Sequence, residues 1–209
     1  MKTIISIITL IIYFIVYSVV HSWLASASVK AWARRVFGPT ADRGYRLAYN
    51  IFATVTLLPM MMLMAVLPAK TLYVVPSPWR WLMVGGQLAV LLAAVITLLQ
   101  TGLFHFAGLR QLTKERPEQS GSLTVNGFYA WVRHPLYTFS LFFLWLTPAM
   151  NTNSLTAYIL FTLYFYIGSF YEERRLVDEF GAAYQQYQQQ VPRLMPMPGR
   201  RFVTKKQQV

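Results

Sequence analysis

The stretch Gly127-Phe128-Tyr129-Ala130-Trp131-Val132-Arg133-His134-Pro135-Leu136-Tyr137 is the part of this 209-residue chain that best predicts its fold. It places a histidine among turn-forming, charged and aromatic residues at the end of a basic loop, directly before an apolar run. Proline suits the first turn of a helix, because its missing N–H would be unpaired there anyway. Further along lies Tyr171-Glu172-Glu173-Arg174-Arg175-Leu176, which holds the chain's only two adjacent glutamates. We predict that a helical hairpin between the two stretches returns the glutamates to the histidine loop.

The composition predicts a membrane protein. Hydrophobic residues make up 56% of the chain and charged residues only 12%, whereas soluble domains carry about 25% charged residues. The net charge of +12 comes from basic residues in short segments between apolar runs. That distribution is typical of charges that orient a protein in a membrane. We therefore expect the lipid bilayer as a partner and no nucleic acid.

The sequence indicates no metal site. It has no cysteine, which excludes disulfides, thiolate metal ligands and a cysteine nucleophile. Its three histidines, at positions 21, 105 and 134, lack the i, i+4 spacing of a helical metal site.

Five apolar runs predict an all-α integral membrane protein with about five transmembrane helices. The predicted spans are residues 4–20 (continuing through residue 24), 47–67, 81–103, 136–150 and 155–171. The first run also has features of a secretory signal, but its length and the basic residues that follow favour a retained helix. The last two runs are short, which predicts a hairpin that is tilted or does not fully cross.

The segments between and after the spans divide the chain. Residues 29–37 form a basic amphipathic segment that we expect to lie in the membrane interface. The polar residues after the fifth run predict a cytoplasmic C-terminal helix. We expect residues 1–112 to be a three-helix membrane region and residues 113–209 to be a second region that carries the site.

The basic residues also predict an orientation. Of the 19 lysines and arginines, 16 lie in the first-to-second loop, the third-to-fourth loop and the tail. Cytoplasmic segments carry the excess of positive charge, so the amino end is predicted outside and the carboxyl end in the cytoplasm, in a bacterial inner membrane. His134 and Glu172 would then share the cytoplasmic side.

Each motif also has a purely structural interpretation. Arg133 could be an orienting charge, His134 a helix cap, and Tyr129 and Tyr137 part of an aromatic belt at the interface. The glutamates could lie on a surface helix. However, two carboxylates directly after an apolar span are costly unless they meet partners, and a cationic ligand would be one.

Together, the motifs resemble a known superfamily. The patterns Gly-x-Tyr-x-x-x-Arg-His-Pro-x-Tyr (127–137) and Glu-Glu-x-x-Leu-x-x-x-Phe-Gly-x-x-Tyr-x-x-Tyr (172–187), followed by Val191-Pro192-Arg193, are similar to those of isoprenylcysteine carboxyl methyltransferases and phospholipid methyltransferases. The similarity covers roughly residues 120–197. The N-terminal half, with His21-Ser22-x-x-Ala25 and Arg46-x-x-Tyr49-Asn50, more loosely resembles bacterial methanethiol S-methyltransferases and denitrification-associated membrane proteins.

This resemblance implies an S-adenosylmethionine (SAM) site in the C-terminal half. In this superfamily the substrate enters from the membrane and the cofactor from the cytosol. The residues expected to act in catalysis are Arg133, His134 and Glu172. Those expected to bind the cofactor are Ser122, Leu123, Thr124, Tyr129, His134, Pro135, Leu136, Tyr137, Glu172 and Glu173. Arg133 or His134 could lower the pKa of the acceptor or take its proton.

One departure from the superfamily pattern bears on the methyl acceptor. Isoprenylcysteine enzymes carry an arginine one helical turn before the paired glutamates, facing the substrate carboxylate, and here that position is Gly168. A small or lipophilic acceptor is expected, with a thiol favoured over a carboxylate. Attack of a thiolate on a sulfonium cancels charge, which a dry, low-dielectric cleft favours, and alignment of the two reactants contributes further.

Three alternatives remain open at this point. Isoprenylcysteine-type carboxyl methylation or phospholipid methylation would use the same fold. Steroid-reductase-like proteins, which bind a reduced nicotinamide, also carry Arg-His-Pro, but the expected continuation Asn-Tyr-x-Gly-Glu is replaced here by Leu136-Tyr137-Thr138-Phe139. The third is a non-enzymatic membrane protein. Binding of SAM, of a nicotinamide or of neither would distinguish a methyltransferase, a reductase and a non-enzymatic protein.

Overall fold

A computed structural model describes residues 1–101 and 123–202. In this part of the chain the prediction of an all-α protein is confirmed. The helices are α1 (Lys2–Ala25), α2 (Ala27–Phe37), α3 (Pro39–Val66), α4 (Trp79–Thr101), α5 (Pro135–Trp145), α6 (Thr152–Phe180) and α7 (Ala182–Gln190), with a one-turn 3-10 helix at Gly127–Ala130. Two short strands, β1 (Thr71–Val74) and β2 (Ala149–Asn151), complete the described elements.

The helices have the length and surface of an integral membrane protein. Four of the described helices are long and apolar enough to cross a bilayer: α1, α4, α6 and the part of α3 from Gly44 to Val66. Their large apolar side chains point outward, as with Met62 (67% exposed) and Leu82 (69% exposed). Water would penalise such a surface, whereas lipid tails do not. Pro59 lies inside α3.

The fourth predicted span is a short helix followed by extended chain. With 11 residues, α5 is about 16 Å long, roughly half the thickness of the hydrocarbon core. The chain after it ends in β2, which pairs antiparallel with β1: Val74 lies opposite Ala149 and Thr71 opposite Asn151. The sequence did not predict this sheet, because a continuous apolar run has no periodicity that separates a strand from a helix.

The fifth predicted span was too short. We expected it to end at residue 171, with the glutamates in the tail, but α6 continues to Phe180. The residues from Glu172 to Glu179 include no proline or glycine, and the helix ends only before Gly181, whose φ of +56° favours glycine. At 1.5 Å per residue, Glu173 lies about 30 Å along α6 from Thr152, close to the thickness of the hydrocarbon core.

The described residues form two compact units. The first comprises residues 1–80 and 148–161. In this unit Ser26 is the N-cap of α2, and its side chain accepts a hydrogen bond from Val29 N. The helix buries Val29 and Ala33. The predicted amphipathic segment is therefore a helix, with Trp32 on its exposed surface.

The second unit comprises residues 81–101, 123–147 and 162–202 of the described chain, and it contains both sequence motifs. Here Gln87 Nε2 donates to Phe143 O over 2.9 Å, and Trp145 Nε1 donates to Thr162 Oγ1 over 3.1 Å. Two residues singled out from the sequence, His105 and Ser122, lie outside the described residues.

Candidate active site

The hairpin of α5 and the second half of α6 brings the two motifs together. The two helices run antiparallel: Trp145 meets Thr162 at one end, and Tyr137 stacks on Phe165 with ring centroids 5.1 Å apart. Pro135 is the first residue of α5, as its missing N–H favours. His134, immediately before it, therefore lies beside the glutamates of α6, as the sequence predicted.

His134 lies between the two glutamates and is only 6% exposed. Its Nε2 is 3.1 Å from Glu173 Oε1, and its Nδ1 is 3.4 Å from Glu172 Oε2. The ring of Tyr137 stacks on the imidazole with centroids 5.3 Å apart and planes 4° apart. Burial acts to lower the pKa of His134, but hydrogen bonds and negative charge from both glutamates outweigh it and raise that pKa.

Glu173 is the buried centre of an ionic network, with 3% of its side chain exposed. Oε1 accepts from Arg133 Nε over 2.7 Å, and Oε2 accepts from Arg193 Nη2 over 2.8 Å. Gln188 Nε2 also donates to Oε2, over 3.0 Å. With the His134 contact, the four neighbouring side chains use the acceptor positions of this carboxylate. Both carboxylate oxygens of Glu173 are thus hydrogen-bonded to protein side chains.

Glu172 has a different environment although it is the neighbouring residue. Its side chain is 34% exposed. Besides His134, it lies beside the Tyr137 hydroxyl. Tyr129 is half-buried and lies near Glu172. Its burial, together with the negative charge of Glu172, raises the pKa of the Tyr129 phenol to about 12. Glu172 therefore presents a partly open carboxylate flanked by two aromatic side chains.

The C-terminal segment forms one side of the site. Backbone N–H groups of Arg133 and His134 donate to Pro192 O (2.9 Å) and Arg193 O (3.1 Å). The Tyr187 hydroxyl donates to Tyr129 O, and Thr138 Oγ1 donates to Leu194 O. These bonds attach the tail to the Arg-His-Pro motif at its backbone.

Arg133 belongs to this attachment. Its Nη1 donates to the carbonyl oxygens of Gln188 and Val191, while its Nε binds Glu173. The side chain is 10% exposed. Its described donors are therefore directed at the protein itself.

Arg193 and Gln188 were not predicted as site residues from the sequence. Arg193 contacts both oxygens of Glu173, and its guanidinium lies 3.6 Å from the centre of the Phe170 ring. The Val191-Pro192-Arg193 motif pointed to this residue, since a buried carboxylate needs a cationic partner. Nothing in the sequence marked Gln188 as a site residue, because glutamine is common in the surrounding helix.

The remaining predicted site residues have mixed surroundings. Leu123 packs against a buried cluster of Tyr184, Tyr187 and Val191. Thr124 is exposed and Leu136 is partly buried. Burial first, and then the charge of Glu173, raise the pKa of Tyr184.

Gly127, which opens the central motif, has a backbone conformation that favours glycine, with φ of +62°. A Cβ there would lie 2.5 Å from Gln100 Nε2, so that side chain would have to move. We predict that Gly127→Ala lowers the free energy of unfolding by about 1–2 kcal/mol, the cost of a left-handed conformation. Gly85→Ala, in the interior of α4 with open space around the new Cβ, is the control. Denaturation in detergent would measure both, and equal stabilities would contradict the prediction.

Comparison with known proteins supports the resemblance. No family profile and no solved structure match the chain. The methanethiol S-methyltransferase of Pseudomonas sp. strain GM41 is 33% identical, over 84% of this chain and 68% of the relative. Methanethiol S-methyltransferase 2 of Bradyrhizobium diazoefficiens is 31% identical, over 86% of this chain and 69% of the relative. The methanethiol S-methyltransferase of Pseudomonas deceptionensis is 30% identical, also over 86% of this chain and 69% of the relative. Because these similarities extend across both halves, the chain belongs to the methanethiol S-methyltransferase family.

Proposed function

We propose that this protein is a membrane-embedded methyltransferase that uses SAM to methylate a small thiol. The names of its relatives support both the reaction class and the acceptor. The observation that carries the proposal is the difference between the two adjacent glutamates. Glu173 is buried and bound by protein donors, whereas Glu172 remains partly open beside His134.

The residues around Glu172 fit the charge of this cofactor. The sulfonium of SAM is a cation, and a carboxylate next to aromatic side chains suits a cation. Glu172, Tyr129 and Tyr137 would hold the sulfonium region. Leu123, Thr124, Pro135 and Leu136 stay proposed cofactor contacts, as does Ser122. Glu173 would contribute through the network that it centres, rather than by direct contact.

When bound, the cofactor supplies an electrophilic methyl group on a positively charged sulfur. The protein's residues have three tasks around it. Glu172 and the aromatic side chains orient the cation, which can supply several kcal/mol as effective molarity. Exclusion of water from the closed site would favour a step that cancels charge. His134 is placed to take the proton of the thiol. Arg133 acts as a positioning residue, since Glu173 and two carbonyl groups engage its guanidinium.

The charges near the glutamates favour a thiol over a carboxylate acceptor. A carboxylate substrate would need a cation, and the superfamily position for that cation is Gly168. Nothing lies within 4 Å of where a Gly168 Cβ would be. Arg133 and Arg193 both pair with Glu173. These arginines therefore serve the internal network rather than a carboxylate substrate.

We further propose that the site faces the cytoplasm of a bacterium from the inner membrane. The excess of lysine and arginine in alternate loops supports an amino end outside and a carboxyl end inside. The length of α6 from Thr152 to Glu173 matches one crossing of the hydrocarbon core. The cofactor would enter from the cytoplasm and the thiol from the membrane.

The proposal predicts saturable binding of SAM to the purified protein, measured by calorimetry, and methyl transfer to methanethiol, measured as dimethyl sulfide. An isoprenylcysteine acceptor is the matched control and should receive no methyl group. Methylation of that carboxylate would favour the alternative acceptor class. A folded sample that binds no SAM would contradict the proposal, and binding of a reduced nicotinamide instead would favour a reductase.

A further inference from the structure

Both ring nitrogens of His134 face carboxylates. Nε2 is 3.1 Å from Glu173 and Nδ1 is 3.4 Å from Glu172. A neutral imidazole carries one N–H, so it can donate to only one of the two glutamates, whereas an imidazolium donates to both. The geometry therefore fits a doubly protonated ring.

The charges around the ring indicate which glutamate depends on that proton. Arg133 and Arg193 both pair with Glu173, so this carboxylate is neutralised without His134. In the described part of the chain, the ion pair that Glu172 makes is the one with His134. The imidazolium is thus the ion-pair partner of Glu172, and the exposed Arg175 adds positive charge nearby.

We infer that His134 is an imidazolium held between the two glutamates when Glu172 has no other cationic partner, and that a cationic ligand on Glu172 expels its Nδ1 proton. This inference rests on the proposed function, because it takes the ligand to be the sulfonium of SAM. A sulfonium and an imidazolium that share one carboxylate repel each other. Because a like charge a few ångströms away disfavours the charged form of a group, the imidazolium loses its proton.

The other groups around His134 do not change this assignment. The titratable and charged side chains around it are Glu172 and Glu173 of α6, Arg133 beside it, Arg193 of the tail and the phenol of Tyr137. The phenols of Tyr129 and Tyr184 and the exposed Arg175 lie near the two glutamates. Burial raises the pKa of the Tyr129 and Tyr184 phenols, so they stay neutral. The pKa of His134 itself is raised by the glutamates against the effect of burial.

Loss of this proton leaves His134 as a neutral base, which can accept the proton of the thiol. Nδ1 loses its proton to solvent as the cofactor binds, and its lone pair is then free beside Glu172. When the thiol reacts, its S–H bond breaks and Nδ1 takes the proton, while the acceptor sulfur forms its bond to the methyl group and the sulfonium C–S bond breaks. The product thioether of the cofactor is neutral, so the imidazolium again pairs with Glu172. One proton is released in each cycle, at the binding step.

Calorimetry can measure this proton. SAM and its neutral product S-adenosylhomocysteine would be titrated at pH 6 into the wild-type protein, in buffers of different ionisation enthalpy. We expect about one proton released for each SAM and none for S-adenosylhomocysteine, and an affinity for SAM that rises up to about tenfold per pH unit until the pKa of His134 is passed. Equal release for the two ligands, or none for SAM, would overturn the inference and leave the proposed function standing. A protein that binds no SAM would overturn both.

A second measurement needs no cofactor. Nuclear magnetic resonance of the protein with ¹³C-labelled histidine would follow the titration of His134, whose signal is identified by its loss in His134→Gln. Glu172→Gln should lower the midpoint of this titration, whereas Glu179→Gln, an exposed residue of the same helix, should not. An unchanged midpoint in Glu172→Gln would overturn the inference.

Discussion

Replacing Glu173 by glutamine should destabilise the protein more than any other single change proposed here. The substitution keeps the size of the side chain but removes the counter-charge of two arginines, and Arg133 is 10% exposed. A buried charge left without its partner costs about 3–5 kcal/mol. The N–H groups of the glutamine amide would also point at the N–H donors of the neighbouring side chains, and no hydrogen bond can form between two donors. Chemical denaturation in detergent would measure the loss of stability.

The control for this prediction is Glu179→Gln on the same helix. Glu179 is exposed, so its replacement should change stability by no more than about 0.5 kcal/mol. A double-mutant cycle with Arg193→Gln adds a second test, because residues that share one network show non-additive effects. Glu173→Gln with the stability of the control, or an additive double variant, would contradict the network described here.

Replacing Glu172 by glutamine should instead leave the fold intact and weaken cofactor binding. The side chain is 34% exposed, so little buried charge is lost. A hydrogen bond or ion pair to a charged group contributes about 1.5–3 kcal/mol, which corresponds to roughly a 10- to 150-fold loss of affinity for SAM. The loss should be larger for SAM than for S-adenosylhomocysteine, because only SAM carries the sulfonium charge. Calorimetry with both ligands measures this difference.

Two results would count against this assignment of Glu172. Unchanged affinity for SAM would remove the residue from the proposed site. An equal loss for the two ligands would show that the carboxylate acts on a part of the cofactor other than the sulfonium. Glu179→Gln again serves as the control, and a denaturation curve for each variant separates loss of binding from loss of folding.

The contrast between the two glutamates follows from helix geometry. Adjacent residues on an α-helix point about 100° apart. Glu173 therefore faces the tail, where Arg193 and Gln188 are, whereas Glu172 faces the more open side next to Tyr137. A motif of two identical residues thus contains one that holds the fold and one that is available to a ligand.

Part of this arrangement could be predicted from the sequence. The apolar runs predicted the long helices of α1, α3 and α4, because only helices satisfy their backbone groups within lipid. The proline after His134 predicted the start of α5. The two motifs predicted the meeting of His134 with the glutamates, because a short hairpin leaves few other arrangements.

Two other features were not predicted, for different reasons. The pairing of β1 with β2 joins segments more than 70 residues apart, and neither strand has a pattern of its own that requires it. The extension of α6 beyond residue 171 follows from the helix propensity of residues 172–180. The predicted span ended at residue 171 because the apolar run ends there.

By itself, the sequence determined the all-α membrane architecture and the meeting of His134 with the two glutamates, because hydrophobic length, charge distribution and helix-start preference are local properties. Only the tertiary structure decided which of the two glutamates is buried and which is partly open. Their difference depends on burial and on donors from the tail, above all Arg193, and these exist only once the tail has folded against the Arg-His-Pro motif.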